Sequence, residues 1–539
     1  MPRHIAEPTP TATVVRVCLV VSAMAFFYSL AIQWSDLFDP NAFHGDTRQE
    51  IYWMYRLENP TLFPGDRLAD HSEAMAPWGL YGFYFAAVKF AGAIVIAKSL
   101  SLFLCAGFAC FMTLLLMRLN LRPTSAAFGA WLAVLVLWAK STASFGVGDS
   151  EDFVPLFLAL FLWGHVAERR IAEVAALILL ALFYPPALLV CLLTIALGYI
   201  SWEKWRALKL FREKATYFYI GIAVLCVALV AGKFLFNPYD PGPLPDRATM
   251  KGMEEFGPDG RTVFFYSTFF EQMTNLRSGL SIEPLTLAIV ILAIILGLLS
   301  YRRFKETEVG RLWRFGLAAL ILFVAAHVVL LKLFSPSRYL RLPLPILACI
   351  VIAVSIDRLV VRRVSSKTSM KIAVPVFVLM VVLFYPLTSN SYRHVDPNPV
   401  YKRIASLPNT AMIAAFPTTA DNIPILTRRS VYINDEMASP FFLGYYAWVK
   451  KRVERVIDAY YAPSWERIEQ FCHEENVTHF LIQKEHFRFS DTPNGPDYHA
   501  PFEKRIAEIA HGNRTFAAIH PPPDRTVYED GEYLLYRCD

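Results

Sequence analysis

The chain has 539 residues, 55% of them hydrophobic and only 18% charged, where an ordinary soluble protein carries about 25% charged residues. Several apolar runs of about 17–25 residues each match the length a helix needs to cross a bilayer core, which excludes a purely soluble enzyme and requires helical spans, because lipid satisfies no backbone hydrogen bonds. The net charge of +6 is small, and its basic residues cluster in loops between apolar runs, the pattern of cytoplasmic loops rather than of a nucleic-acid surface.

The first run, Ala12–Trp34, has no small-residue cleavage site and reads as an anchor. A charged and aromatic stretch, Asn41–Asp70, follows on the outer side and carries Asp46, Arg48, Glu50, Tyr52, Trp53 and Tyr55. It is either a solvated loop with a short amphipathic helix or a catalytic loop at the membrane–water boundary. Pro77–Gly92 is expected to lie along the outer face. Ile94–Met117 then crosses to the basic Met117–Arg122, and Thr124–Trp138 goes out to a second outer loop, Lys140–Asp152. Phe153–Val166 returns. Ile171–Ile200 is expected to be a helical hairpin whose tip, Tyr184–Pro186, holds two consecutive prolines that break the helix.

The segment Trp202–Lys214 is basic and cytoplasmic in this reading. Tyr217–Phe236 goes out, Asn237–Glu283 is a third outer loop, and Pro284–Ser300 returns to the basic Tyr301–Arg314. Phe315–Leu333 leads out to Ser335–Arg341, Leu342–Ile356 leads back to Asp357–Lys371, and Ile372–Leu387 crosses last. The expected fold class is a polytopic α-helical membrane protein with about eleven transmembrane helices, the N-terminus cytoplasmic and the C-terminus outside, because every basic cluster then falls on one side.

From Thr388 the composition turns polar, and residues 389–539 read as a small α/β or α+β extracytoplasmic domain. Strands are expected at Thr410–Phe416 and Thr478–Gln483, and helices at Phe442–Ala459 and Ser464–Glu475, with Ser464 as N-cap. A strand pair is expected around Asp530–Gly531. Cys472 and Cys538 are the only cysteines in this part, and outside the cytoplasm they can form a disulfide. The other six lie in apolar runs, where cysteine acts as a small hydrophobe.

The outer loops hold the candidate chemistry. Asp46, in His44-Gly45-Asp46-Thr47-Arg48, can serve as general base on an acceptor hydroxyl or amine, or can cap a helix starting at Thr47. Asp149, Glu151 and Asp152 recur at the inner margin of the second outer loop. Clustered carboxylates there can hold a divalent cation, position an acceptor, orient arginines, or cap the helix beginning near Phe153. Arg338 and Arg341 stand where a lipid phosphate would lie, with a fork of donors suited to it, or snorkel to the interface as a structural pair. Arg48, Arg56, Lys89 and Arg277 are further cations, each read first as structural. The chain has no GxxxxGK[ST], HExxH, GxSxG or Rossmann glycine pattern.

The pattern resembles the GT-C superfamily of membrane glycosyltransferases, which includes protein O-mannosyltransferases and the aminoarabinose transferases of lipid A. The resemblance covers residues 1–390. It is carried by the early Asp46 after the first span, by APWGLYGFYFAAVKF (Ala76–Phe90), by Asp149, Glu151 and Asp152, and by the Ser-Arg-Tyr…Pro…Pro segment Ser337–Pro345. It implies that Asp46 is the general base and that the donor is a sugar on a polyprenyl phosphate, attacked with inversion. The Asp149–Asp152 loop would shape the acceptor or metal site, and Arg338 or Arg341 would bind the lipid phosphate, with His44, Arg48 and Glu50 in support. The acceptor would be a glycan, a lipid or a protein, at the outer face of a bacterial inner membrane.

The chain departs from the family pattern in two places. It has a single Asp46 where the O-mannosyltransferases have an acidic pair, with Glu50 one helical turn on, and it has Pro77-Trp78-Gly79 where many relatives have Pro-Pro-Leu. Two rivals stand beside this expectation. A transporter would place paired discontinuous helices and charges at the midplane, whereas a non-catalytic scaffold of an envelope complex would not need Asp46.

Overall fold

A computed structural model describes residues 10–139, 145–199, 214–275, 277–280, 283–304, 311–388, 392–488, 496–512 and 515–538. The first five residues of the Lys140–Asp152 loop, the basic segment 202–213 and residues 305–310 of the next basic stretch lie outside the described residues. A helix stands at each of the eleven apolar runs: Thr11–Leu37, Ala93–Arg118, Pro123–Trp138, Val154–Val166, Arg170–Phe183, Pro185–Gly198, Lys214–Leu235, Pro284–Phe304, Leu312–Val329, Pro343–Leu359 and Ser366–Phe384. Among the described residues six helical stretches are long and apolar enough to cross a membrane: Thr11–Leu37, Ala93–Arg118, Ala215–Leu235, Leu312–Leu333, Pro336–Arg363 and Ser366–Leu387.

The first helix packs along Ala93–Arg118, which in turn packs against Pro123–Trp138 and Val154–Val166, forming the centre of the bundle. Lys98, which interrupts the second apolar run, is only 4% exposed. Its ammonium donates to the carbonyls of Asp36 (2.8 Å) and Asp39 (2.6 Å) at the end of the first helix. A buried cation is tolerated there because the last carbonyls of a helix have no intrahelical donor and carry partial negative charge.

The hairpin breaks at Tyr184 (φ −150°), with Pro185 and Pro186 opening the next helix, where a missing N–H costs nothing. Trp78–Ala87 forms a separate helix inside the expected Pro77–Gly92 segment. It docks on the hairpin tip through Gly79, where a Cβ would lie 2.9 Å from the Leu182 carbonyl and against the Phe183 ring.

The C-terminal domain has a five-stranded mixed sheet in the order β4-β3-β5-β7-β6. Its strands are β3 (Met412–Ala415), β4 (Ser430–Val431), β5 (His479–Gln483), β6 (Thr526–Glu529) and β7 (Tyr533–Arg537). β3 runs parallel to β4 and β5, while β7 runs antiparallel to β5 and β6. The β6–β7 turn is held by Asp530, whose Oδ1 accepts from Glu532 N and Tyr533 N (2.7 and 2.6 Å). Leu443–Tyr460 and Trp465–Glu475 form the two expected helices. Ser464 occupies the N-cap position of the second but makes no cap hydrogen bond, contrary to expectation. Cys472 and Cys538 are bonded as a disulfide.

A two-stranded antiparallel ribbon, β1 (Ala42–His44) with β2 (Tyr392–His394), joins the first outer loop to the start of the C-terminal domain. Tyr392 OH donates to Gln33 Oε1 at 2.9 Å, which fixes the ribbon to the first helix. The ribbon sets the position of Asp46, two residues past its end.

Candidate active site

Asp46 stands at the N-cap position of the one-turn helix Thr47–Glu50, but its side chain caps nothing and is 62% exposed. The capping reading therefore fails here, and the exposed carboxylate lies 3.8 Å from His44 Nδ1. Its own N–H donates to His44 Nδ1 (3.1 Å), so His44 orients the turn. Thr47 Oγ1 donates to the Val147 carbonyl (3.0 Å), stitching the first outer loop to the second.

The second loop is built around Asp152. Its Oδ2 accepts from Gly146 N (3.0 Å) and Gly148 N (2.7 Å), while Tyr84 OH donates to the Gly148 carbonyl (2.8 Å). Gly148 has φ +84°, a region that favours glycine. Asp149 Oδ1 accepts from Glu151 N and Asp152 N (2.9 and 3.2 Å), which caps the turn leading into Val154–Val166. Glu151 turns the other way. It contacts Arg338, lies 3.2 Å from Arg341 Nη1, and accepts from Tyr184 OH at 2.5 Å. The three carboxylates thus have different partners and do not converge on a common cation position. Among the described residues no group of three or more His, Cys, Asp or Glu side chains is arranged to hold a metal.

Electrostatics gather the remaining acids beside the arginines. Burial, reinforced by Asp46, lifts Glu50 from 4.5 to about 7, with Arg338 acting in the opposite sense. Burial and then the charges of Asp152, Glu50 and Asp46 push Asp149 well above the usual carboxylate range. These are the effects of desolvation and like charge on a carboxyl group. Asp46, Glu50, Asp149 and Arg338 therefore share one electrostatic neighbourhood.

A third outer segment joins them. The Arg277 carbonyl accepts from Ser337 N (3.1 Å) and from the Ser335 hydroxyl, clipping the third loop onto the turn that carries Arg338. Burial lowers the Arg277 guanidinium, as does the nearby Arg261, and Asp46 raises it. Arg277 thus stands among the site's charges, although its sequence setting gave no signal beyond a cation in an outer loop. Tyr184 was legible only as a hairpin tip, and Arg261, Asp421 and Glu436 were not singled out.

Those last residues roof the site. Arg48 pairs with Glu436, bonds Asn422 Oδ1 (3.2 Å) and lies 3.8 Å from Asp421. Arg261 of the third loop reaches the same Glu436 (3.6 Å) and Asp435 (3.3 Å), and His499 Nε2 lies 2.9 Å from Asp435 Oδ1. Arg48 therefore acts as a clamp to the C-terminal domain. A narrow cleft of about 20 Å³ runs from Glu151, Tyr184, Arg338 and Arg341 into aliphatic walls of Val154, Leu158, Ala187, Val190 and Leu342. Its polar end carries cations, and its shaft is apolar.

No family model matches the sequence, and no curated protein matches it. The comparison with solved structures returns membrane transferases. The Archaeoglobus fulgidus oligosaccharyltransferase, crystallised with Zn and sulfate, is 12% identical, with a TM-score of 0.49 over 90% of this chain and 70% of that one. The AglB oligosaccharyltransferase of the same organism, with an inhibitory peptide and a dolichol-phosphate, is 14% identical, with a TM-score of 0.47 over 88% and 70%. ArnT from Cupriavidus metallidurans, bound to undecaprenyl phosphate, is 15% identical, with a TM-score of 0.44 over 98% and 99%. These structure neighbours are GT-C superfamily membrane glycosyltransferases, the superfamily that the sequence pattern resembles. At these identities and scores the likeness assigns neither a substrate nor a role to any residue of this chain.

Proposed function

We propose that the protein is an inverting glycosyltransferase that moves a sugar from a polyprenyl-phosphate donor to an acceptor hydroxyl or amine at the outer face of the membrane. The observation that carries this reading is an exposed carboxylate, Asp46, whose charge acts on Arg338, which with Arg341 heads a cleft with aliphatic walls. The cationic end of the cleft matches an anionic head and its aliphatic walls match an apolar tail, and a lipid-borne donor accounts for a site set at the ends of membrane helices. The arrangement of basic clusters supports eleven crossings, with the N-terminus cytoplasmic and the C-terminal domain outside, in a bacterial envelope periplasmic.

In this mechanism Asp46 takes the proton from the acceptor nucleophile as its lone pair attacks the anomeric carbon. The bond from that carbon to the phosphate oxygen breaks on the opposite face, which inverts the centre. The leaving phosphate gains one negative charge, and the fixed guanidinium groups of Arg338 and Arg341 stabilise it as that charge develops. Glu151, itself held by the Tyr184 hydroxyl, pairs with both arginines beforehand, so little reorganisation is needed. A glycan, a lipid or a protein fits as acceptor.

The test is turnover of a panel of radiolabelled polyprenyl-phosphate sugars by purified protein, wild type beside Asp46→Asn. The expected result is transfer or slow hydrolysis by the wild type and a loss of about 10²–10⁴-fold in the variant. The thermal midpoint should be unchanged, because the Asp46 side chain caps nothing. Equal turnover would remove Asp46 from the mechanism. Well-folded protein that turns over no donor would favour the scaffold.

A further inference from the structure

The third outer loop encloses a second cavity that shares no lining residue with the Arg338–Arg341 pocket. It has a volume of about 570 Å³ and lies between the loop and the C-terminal end of the helix Leu312–Val329, which contributes His327. Arg247 and Lys251 supply two cations, and among the described residues no Asp or Glu lines it. Phe264, Phe265 and Leu330 supply apolar wall, and Ser278 and Gln272 supply polar groups. His327 Nε2 is buried without a hydrogen-bond partner, its other nitrogen being 2.9 Å from the Phe323 carbonyl. Arg247 Nη1 donates to the His327 carbonyl (2.8 Å), which holds one cation at the rim. Two cations and an unsatisfied polar ring atom in a lining without carboxylates suit an anion with hydrogen-bonding capacity.

The same loop presents an apolar ridge. The short helix Phe269–Thr274 exposes Phe269 (79%) and Phe270 (76%) side by side. The loop connects two membrane helices, Lys214–Leu235 and Pro284–Phe304. Two exposed phenylalanines side by side on a loop between such helices suit acyl chains.

We infer that this cavity binds the headgroup of an anionic outer-leaflet phospholipid. Its phosphate lies on Arg247 and Lys251, its polar head group faces His327, and its chains run beneath Phe269 and Phe270. The site is separate from the proposed donor pocket, and it buttresses that pocket: Ser278, in its wall, adjoins Arg277, whose carbonyl seats the turn carrying Arg338.

The experiment uses the full-length protein in detergent, titrated with short-chain phosphatidylglycerol, phosphatidylcholine of the same chains, or inorganic phosphate. Binding is read by native mass spectrometry and by the thermal midpoint. The expected result is phosphatidylglycerol bound about tenfold more tightly than phosphatidylcholine, with that preference lost in Arg247→Gln/Lys251→Gln. Phe269→Ser/Phe270→Ser should weaken both lipids while keeping their ratio. Should the double charge variant fail to fold, Lys251→Gln alone, at an exposed residue, must still narrow the preference. Equal affinity for the two lipids, or a preference that survives loss of both cations, overturns the inference. Inorganic phosphate shifting the midpoint as far as phosphatidylglycerol overturns the lipid and leaves a small-anion site.

Discussion

Asp149, Glu151 and Asp152 stand within four residues of one another, yet they take three roles. One caps a turn, one braces two arginines, and one folds a glycine loop around itself. Asp46 and Glu50 have no cap or arginine brace of that kind among the described residues, and Asp46 sits close enough to Glu50 to raise its carboxyl. Glu50 yields a prediction of defined sign. Its carboxyl holds its proton more tightly in the folded protein (about 7) than at its ordinary 4.5, so its contribution to stability is fully present below 4.5 and is lost as pH rises to about 7. Asp149 acts in the same direction. The thermal midpoint of the wild type should therefore fall across that window, and Glu50→Gln should make the fall shallower. A variant with an unchanged slope would show that Glu50 titrates normally.

The elements that matter most to the site are short and depend on close approach. The Gly146–Asp152 loop brings its backbone against the helix Ala93–Arg118, and a Cβ on Gly148 would lie 2.6 Å from Ala97 Cα and 2.7 Å from Tyr84 OH. With φ at +84° the position is also strained for any other residue. Gly148→Ala should cost about 3 kcal/mol, from backbone strain plus overpacking. It should also displace Asp149 and Glu151, so that transfer falls along with the thermal midpoint. An alanine variant with wild-type stability and turnover would mean that the loop has room to shift. The hairpin tip shows the opposite case, an element legible in advance: Tyr184-Pro185-Pro186 breaks the helix because of its own covalent geometry. That the Tyr184 hydroxyl reaches Glu151 was not legible, since the two meet only when two helices pack.

At the scale of the whole molecule, the C-terminal domain is part of the site. Glu436 is shared by Arg48 from the first outer loop and Arg261 from the third, while β1 and β2 pair the same first loop with the domain's opening strand. Removing the carboxylate leaves two partly buried guanidinium groups without it, which typically costs about 3 kcal/mol. Glu436→Ala should thus lower the thermal midpoint and reduce kcat at least tenfold through misplacement of the Asp46 turn, with little change in KM for the donor, whose pocket it does not touch. A double-mutant cycle with Arg48→Met checks the coupling, and strictly additive losses would place the two residues in separate roles.

The helical runs, four strands of the C-terminal sheet and its helices Leu443–Tyr460 and Trp465–Glu475 were readable from the chain alone. These are local properties: apolar length dictates a helix in lipid, and alternation with turn residues dictates a strand. Asp46 and the two arginines could be singled out the same way, as charges beside apolar runs. Tertiary structure alone decided which charges are free. Glu151 meets Arg341 across 190 positions of sequence and Arg48 meets Glu436 across 388, and no local pattern distinguishes a carboxylate awaiting such a partner from one awaiting a substrate. Cys472 and Cys538 were candidates by compartment and became a bond through the packing of a helix on the last strand. Spacing within one segment encodes hydrogen bonding along the backbone, whereas the pairing of side chains between segments depends on how the whole bundle and its outer domain come together.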